Sequence, residues 1–250
     1  MRPLPFILAN TDHGAMIVSR MDFGVYPDGG VYGVGAQLLT NASYDAVEVA
    51  LGIGILNERR DSHGDGVVAV DCGANIGVHT VTWAVEMTGW GEVVAFEPQE
   101  RVYYALAGNI ALANAFNARA CNVAVGAAVG KTRVPRPDHL RPASYGSVEM
   151  RLDPATEYVG QAISYLEADT DAVVMTSIDA LGLPRLDLLK IDVERMELDV
   201  IAGARDTIMR CRPVMFVEWT KVGLPAVVTA LEPHGYDFAA RDMVVVARPK

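Results

Sequence analysis

At 250 residues, with 51% hydrophobic and 21% charged residues, the chain has the length and composition of one globular α/β domain with a substantial core. Its net charge of −10, from 21 Lys+Arg against 31 Asp+Glu, argues against a nucleic-acid phosphate backbone as the main partner, because such binding leans on basic patches. No stretch approaches the length of a membrane span. The opening residues lack the apolar run and cleavage site of an export signal, and the three cysteines, Cys72, Cys121 and Cys211, show no CxxC spacing. A cytoplasmic location with reduced, mostly buried thiols is expected.

In chain order, residues 5–25 predict a β-hairpin turning at Thr11-Asp12-His13-Gly14. Residues 44–57 predict a helix with Val47, Leu51 and Ile55 on one face, followed by a polar loop over 61–66. Residues 67–70 form a first core strand, and the helix after Gly77 sets Val78, Val81 and Val85 on one side. A second strand covers 93–96, and Pro98 suits the first turn of a helix burying Val102, Leu106 and Ile110. A third strand spans 120–125. Residues 126–176 then break the rhythm, as a polar, proline-containing insertion with short strands, one at 172–175. Alternation resumes with a buried strand at 186–191 and a helix through Val200, Ile201, Ala204 and Ile208. A strand at 214–217, a helix at 226–231 and a closing hairpin at 236–247 complete the chain. Such alternation builds a parallel sheet with helices on both faces and puts ligand sites at the carboxyl ends of its strands.

The first such end reads Asp71-Cys72-Gly73-Ala74-Asn75-Ile76-Gly77. Gly73 permits a sharp turn out of the strand and close approach of a ligand, and Gly77 lets the next helix pack tightly with its amides aimed at that ligand. Glu97 closes the second strand about 20 residues on, the spacing at which an acid reaches the two hydroxyls of a ribose. A dinucleotide site would carry Gly-x-Gly-x-x-Gly, which is missing here. Asp71 would repel a pyrophosphate, yet would suit the amino group or sulfonium of S-adenosylmethionine.

Asp71 to Thr80 together with Phe96-Glu97-Pro98 resembles the first two motifs of class I S-adenosylmethionine-dependent methyltransferases. Residues 188–204, LLKIDVERMELDVIAGA, are similar to the Lys-Ile-Asp-Val-Glu-Gly-x-Glu signature of the FkbM-type methyltransferases, with Arg195 where that signature has glycine. The resemblance implies a Rossmann-like, doubly wound α/β fold with a mostly parallel seven-stranded sheet, an antiparallel C-terminal hairpin and an N-terminal β-hairpin/helix extension. It implies one methyltransferase domain over 1–250, comprising an extension at 1–65 and a cofactor-binding core at 66–250 that holds the insertion. It also assigns Asp71, Gly73, Asn75 and Gly77 to the methionine end of S-adenosyl-L-methionine, with His79 lining the pocket, Glu97 to the ribose and Asn122 to the adenine. Asp192 falls beside the transferred methyl group. A hydroxyl acceptor must lose a proton, and Asp192, then His79, are the bases expected to take it. The alternative for Asp192 is a helix cap.

The reaction expected is O-methylation of a sugar, glycan precursor or secondary metabolite, with a small-molecule or glycan acceptor as partner and the oligomeric state open. Asp192, Glu194, Glu197 and Glu218 together offer oxygens of the kind magnesium takes. The preferred reading assigns no metal, with Glu197 on the solvent side of its helix. A nicotinamide-dependent oxidoreductase and a non-catalytic nucleoside-binding module are the alternatives. GAAVGKT at 126–132 is one residue short of a phosphate-binding loop and reads as a turn. The five histidines show no zinc spacing. Residues 144–147 are either acceptor contacts or an ordinary turn.

Overall fold

The computed structural model describes residues 4–26 and 28–250. The chain opens on an antiparallel hairpin, β1 (Phe6–Thr11) and β2 (Gly14–Ser19). Its turn is the expected one: Thr11 Oγ1 donates to the Gly14 carbonyl at 2.8 Å, and Gly14 takes φ 95°, which suits a residue without a Cβ. The hairpin stops there, because residues up to 25 join a separate ladder, β3 (Gly24–Val25) with β4 (Val31–Tyr32). Helix α1 (Val34–Asn41) follows. Helix α2 (Ala46–His63) runs through part of the expected loop and ends at Gly64, whose amide bonds back to the Arg60 carbonyl. Leu51 and Ile55 do face inward, but Val47, in the first turn, points to solvent.

Next come β5 (Val67–Cys72), α3 (Val78–Glu86), β6 (Gly91–Phe96), α4 (Glu100–Leu112) and β7 (Ala118–Cys121). In α3, Val78 and Val81 are buried while Val85 is exposed. Pro98 lies one residue before the α4 cap Gln99, so it steers the entry rather than starting the helix. The strand expected over 120–125 divides at Asn122, where the chain leaves the main sheet. Its second half, β8 (Ala124–Val125), pairs with the insertion, which contributes β9 (Gly130–Pro135) and β10 (Thr170–Thr176) in the order β8-β10-β9. Then follow β11 (Leu188–Ile191), α5 (Glu197–Ala202), α6 (Arg205–Cys211), β12 (Val214–Glu218), α7 (Leu224–Leu231), β13 (Tyr236–Arg241) and β14 (Val244–Pro249). The helix expected through Val200 to Ile208 is thus two short ones. All four named residues are buried; the break falls at Gly203, where a Cβ would stand 2.2 Å from the Gly126 carbonyl oxygen.

The main sheet has seven strands in the order β13-β14-β12-β11-β5-β6-β7, parallel from β12 to β7 and antiparallel at the β12-β14-β13 end. Side chains of alternating strand residues supply two cores. One face packs Val70, Leu189 and Met215 against Val200, Ile208 and Val227 of α5, α6 and α7. The other packs Ala69, Leu188 and Phe216 against Ile55 and Leu56 of α2 and Trp83 of α3. A third cluster joins Met16 and Val18 of β2 to α4 and to Tyr145 and Val148 of the insertion. Order reverses between β5 and β11, so the switch point where such folds bind ligands lies at Gly73 and Asp192. Among the described residues, no helix is long and apolar enough to cross a membrane.

Candidate active site

A cavity of about 640 Å³ opens at that switch point, within the range of small-molecule sites. Its floor is the turn after β5. Gly73 has φ 79°, and a Cβ there would lie 1.7 Å from the Asp192 carbonyl oxygen. What approaches Gly73 most closely is therefore the end of β11, and this closeness sets both loops on one cavity. Gly77, at φ 91°, leads into α3 and leaves room for Leu106 of α4, as expected of a close-packing position. Gly77 itself is not among the cavity-lining residues, whereas Gly73, Ala74, Asn75 and Ile76 are.

Glu97 lines the cavity from the end of β6 and is 4% exposed. Its Oε1 accepts the Gln99 amide at 2.8 Å and its Oε2 the Asn75 amide at 3.0 Å. Burial pushes its pKa up to about 7, against the pull of those two amides. Asn75, at φ 51°, carries the bend that aims its amide at Glu97, and its Oδ1 accepts the Ile76 amide. Asn122 does not line the cavity; its Nδ2 donates to the carbonyls of Glu97 and Pro98, fixing the strand end that carries the acid.

Asp71 departs from its expected position. It is fully buried and outside the cavity, with Oδ2 accepting the Thr80 hydroxyl at 2.6 Å and Oδ1 3.5 Å from the Lys190 ammonium. The cause is register. Lys190 is the in-line partner of Asp71 on the neighbouring parallel strand, so the two side chains emerge on the same side of the sheet. The Asp71 charge is thus met inside the protein. Lys190 also donates to Asp192 Oδ2 at 3.1 Å. Burial alone would lower the lysine's pKa, but Asp192 and Asp71 raise it, so it stays charged.

Asp192 lies in the cavity with Glu194 and Glu218, each offering an oxygen within 4.8 Å of the others. It does not cap a helix, since α5 starts at Glu197 and its cap, Met196, makes no side-chain bond. Glu197, expected on the solvent side, is fully buried: its Oε1 accepts the amides of Val193 and Arg195 and so ties down the loop after β11. Burial, then the neighbouring Asp192, raises both Glu194 and Glu218, the latter to about 7. The Lys221 ammonium sits 2.5 Å from Glu194. The Asp192–Glu194–Glu218 triangle is the part of the acidic set that offers convergent oxygens; Glu197 is not in it.

His79 lines the cavity at 5% exposure, edge-on to Trp83, with Nε2 unpartnered. Burial, reinforced by Lys190, pushes its pKa down to about 3, so the ring is neutral at pH 7. Ser144, Gly146 and Ser147 also line the cavity, on a turn (Tyr145–Ser147) that places the insertion against it. Sequence reasoning gave no role to Lys190, Lys221, Asp45 or Glu48, all in the lining. For Lys190 a signal existed: a lone lysine within a strand that is otherwise apolar and buried.

The site suits S-adenosylmethionine. A buried carboxylate keeps lone pairs for two hydroxyls, His79 Nε2 and Gln99 Oε1 are buried without partners, and Ala74, Ile76 and Phe96 give apolar walls. The structure is similar to the methyltransferase FkbM from Methylobacillus flagellatus KT at 16% identity and TM-score 0.51, covering 73% of this chain and 43% of that one. The chain therefore spans under half the length of that relative. It is also similar to the precorrin-6y C5,15-methyltransferase from Geobacter metallireducens GS-15 (14% identity, TM-score 0.45, 81% and 87% of the two chains). The same holds for a SAM-dependent methyltransferase from Aquifex aeolicus (10% identity, TM-score 0.42, 85% and 90%). No curated protein matches the sequence. Residues 71–238 match the methyltransferase FkbM domain, and with a sheet switch point that brings Gly73, Glu97 and Asp192 onto one cavity, the chain belongs to the FkbM family of S-adenosylmethionine-dependent methyltransferases.

Proposed function

We propose that this methyltransferase alkylates oxygen: a hydroxyl of a sugar, glycan precursor or other secondary metabolite. The observation that carries the reading is the carboxylate triangle of Asp192, Glu194 and Glu218 in the same cavity as Glu97. A hydroxyl gains nucleophilicity as its proton leaves, and a carboxylate within reach supplies the acceptor. Glu97 holds the ribose hydroxyls, and the Gly73 to Ile76 loop supports the methionine end of the cofactor. When bound, that cofactor supplies a methyl group on a sulfonium that is already a good leaving group.

The remaining work is positioning and proton transfer. Asp192 Oδ2 is fixed by Lys190, which aims the carboxylate. Asp192 takes the acceptor's proton. Glu218, with a pKa of about 7, is matched to neutral pH and stands close enough to share it. His79, with its pKa near 3, is a poor base and serves as a neutral wall. Among the described residues, the lining also holds Asp45, Glu48 and Glu157 against two ammoniums, Lys190 and Lys221. That balance favours neutral or cationic acceptors over phosphorylated ones.

The test is release of S-adenosylhomocysteine from S-adenosylmethionine with a panel of neutral, amine-bearing and phosphorylated polyols, using wild type and Asp192→Asn. The expected result is turnover with neutral or amine-bearing polyols, slowed about 10²–10⁴-fold in the variant, with cofactor affinity retained. Binding of NAD without binding of S-adenosylhomocysteine, or an unslowed Asp192→Asn, contradicts the reading.

A further inference from the structure

Glu194 and Arg195 take left-handed backbone conformations in succession, at φ 54° and 79°. Side chains other than glycine avoid that region unless their surroundings hold them there. Arg195 does not line the cavity; its side chain runs behind it into the insertion. Its Nε and Nη2 donate to the two oxygens of Glu149 at 2.9 and 3.3 Å, a two-pronged pairing that fixes both partners. Nη2 also donates to the Ala155 carbonyl and Nη1 to the Lys221 carbonyl.

Glu149 has a side chain 1% exposed and is the hub of this group. It accepts the Thr156 hydroxyl at 2.9 Å and lies 3.5 Å from the Lys221 ammonium. Lys221 in turn donates to the Ser147 carbonyl and meets Glu194. One buried carboxylate thus joins three separate segments: the loop after β11, the loop after β12, and residues 147–157 of the insertion. Val148, Met150 and Tyr158, beside these anchors, line the cavity on the side that also carries Glu194 and Lys221.

We propose that Arg195 is a positioning residue that clasps residues 147–158 through Glu149 and so builds the acceptor-side wall, setting which acceptors fit. This rests on the methyl-transfer reading of the cavity. The clasp explains why a strained backbone holds an arginine at this point: the conformation aims its guanidinium at Glu149. Among the described residues, Glu97 makes its hydrogen bonds to the amides of Asn75 and Gln99, and no hydrogen bond or ion pair joins it to Arg195 or Glu149.

The experiment compares wild type, Arg195→Gly and Arg195→Lys. Glycine accepts φ 79° without strain, so Arg195→Gly keeps the loop while removing the clasp. Lysine keeps the charge but loses the two-pronged geometry. Hydrogen exchange is expected to quicken about tenfold or more over residues 147–158 in Arg195→Gly, and to a lesser degree in Arg195→Lys, with β5 and β11 unchanged. Calorimetry with S-adenosylhomocysteine is expected to give Kd within about twofold of wild type. For any acceptor wild type methylates, KM should rise about fivefold or more with kcat retained. Unchanged exchange over 147–158, or an unchanged acceptor KM, overturns the proposal. Absence of S-adenosylhomocysteine binding to wild type would instead overturn the reading of the cavity, while the exchange result would still decide the clasp. Should Arg195→Gly not fold, the exchange of Arg195→Lys against wild type decides.

Discussion

At the scale of single residues, Glu97 is held on both of its oxygens. Its two oxygens already take one backbone amide each, and it is buried with a pKa of about 7. Ribose hydroxyls that donate to it favour the ionised form, so binding lowers its pKa and releases a proton wherever the free protein still holds one. The sign follows. Affinity for S-adenosylhomocysteine is highest above pH 7 and falls as the pH drops below 7, approaching tenfold per unit. Calorimetry from pH 5.5 to 8 measures this, and Glu97→Gln should flatten the profile that Glu48 and Glu218 would otherwise share. If Glu97 accepts the two ribose hydroxyls, as proposed, Glu97→Ala should cost about 1–3 kcal/mol of affinity at pH 8. A wild-type profile flat across pH 7, or an Ala variant that binds as well as wild type, removes Glu97 from the ribose.

Elements meet at the ends of β5 and β11, where Lys190 bridges Asp71 and Asp192. Among the described residues, Lys190→Met leaves buried Asp71 with the Thr80 hydroxyl as its partner, and breaking a buried pair in this way costs about 3–5 kcal/mol. Asp71→Asn added to Lys190→Met removes the stranded charge and keeps the hydroxyl contact, so the double variant should be more stable than the single one. Urea unfolding of both decides; a double variant no more stable than Lys190→Met would mean that the pair is not coupled. This bridge also marks what could be read from the sequence and what could not. The alternation of strands and helices, the turn at Gly73 and the acid at Glu97 were legible, because each is written in local spacing. Register between strands distant in sequence is not local, so the pairing of Lys190 with Asp71 is hidden and the motif alone points Asp71 at a ligand. The burial of Glu197 is hidden for a different reason: its partners are close in sequence, but they are amides of a left-handed loop that nothing in the side-chain pattern announces. Val47 is exposed because α2 turns the face of Val49, Gly52, Ile55 and Leu56 inward, opposite to Val47, and Val85 is exposed in the last turn of α3.

For the whole molecule, the question is whether the N-terminal extension is an appendage or part of the core. Helix α2 lays Ile55 and Leu56, both almost fully buried, against the sheet face formed by Ala69, Leu188 and Phe216, beside Trp83 of α3. Burying each such side chain contributes about 1.5–3 kcal/mol, and Val49, Leu51 and Ile53 add contacts of their own. The hairpin of β1 and β2 is held as firmly. Asn109 of α4, 1% exposed, accepts the Ile17 amide through Oδ1 and donates through Nδ2 to the carbonyls of Ile17 and Ile76, so it ties the hairpin to the loop that lines the cavity. Asp22 accepts the amides of Gly35 and Tyr145, joining the extension to the insertion. Against a total stability of about 5–15 kcal/mol for a domain, loss of α2 alone removes a comparable amount. We therefore propose that residues 4–26 and 28–64 are integral to the fold, and that a chain of residues 65–250 will not unfold cooperatively. Circular dichroism during heating is the measurement: the full chain should show one sharp transition and the shortened chain a broad, sloping one. Asn109→Ala in the full chain should keep a single transition at lower temperature, because it frees the hairpin while leaving α2 in place. A sharp transition in the 65–250 chain, with S-adenosylhomocysteine still bound, would show that the extension only decorates the core.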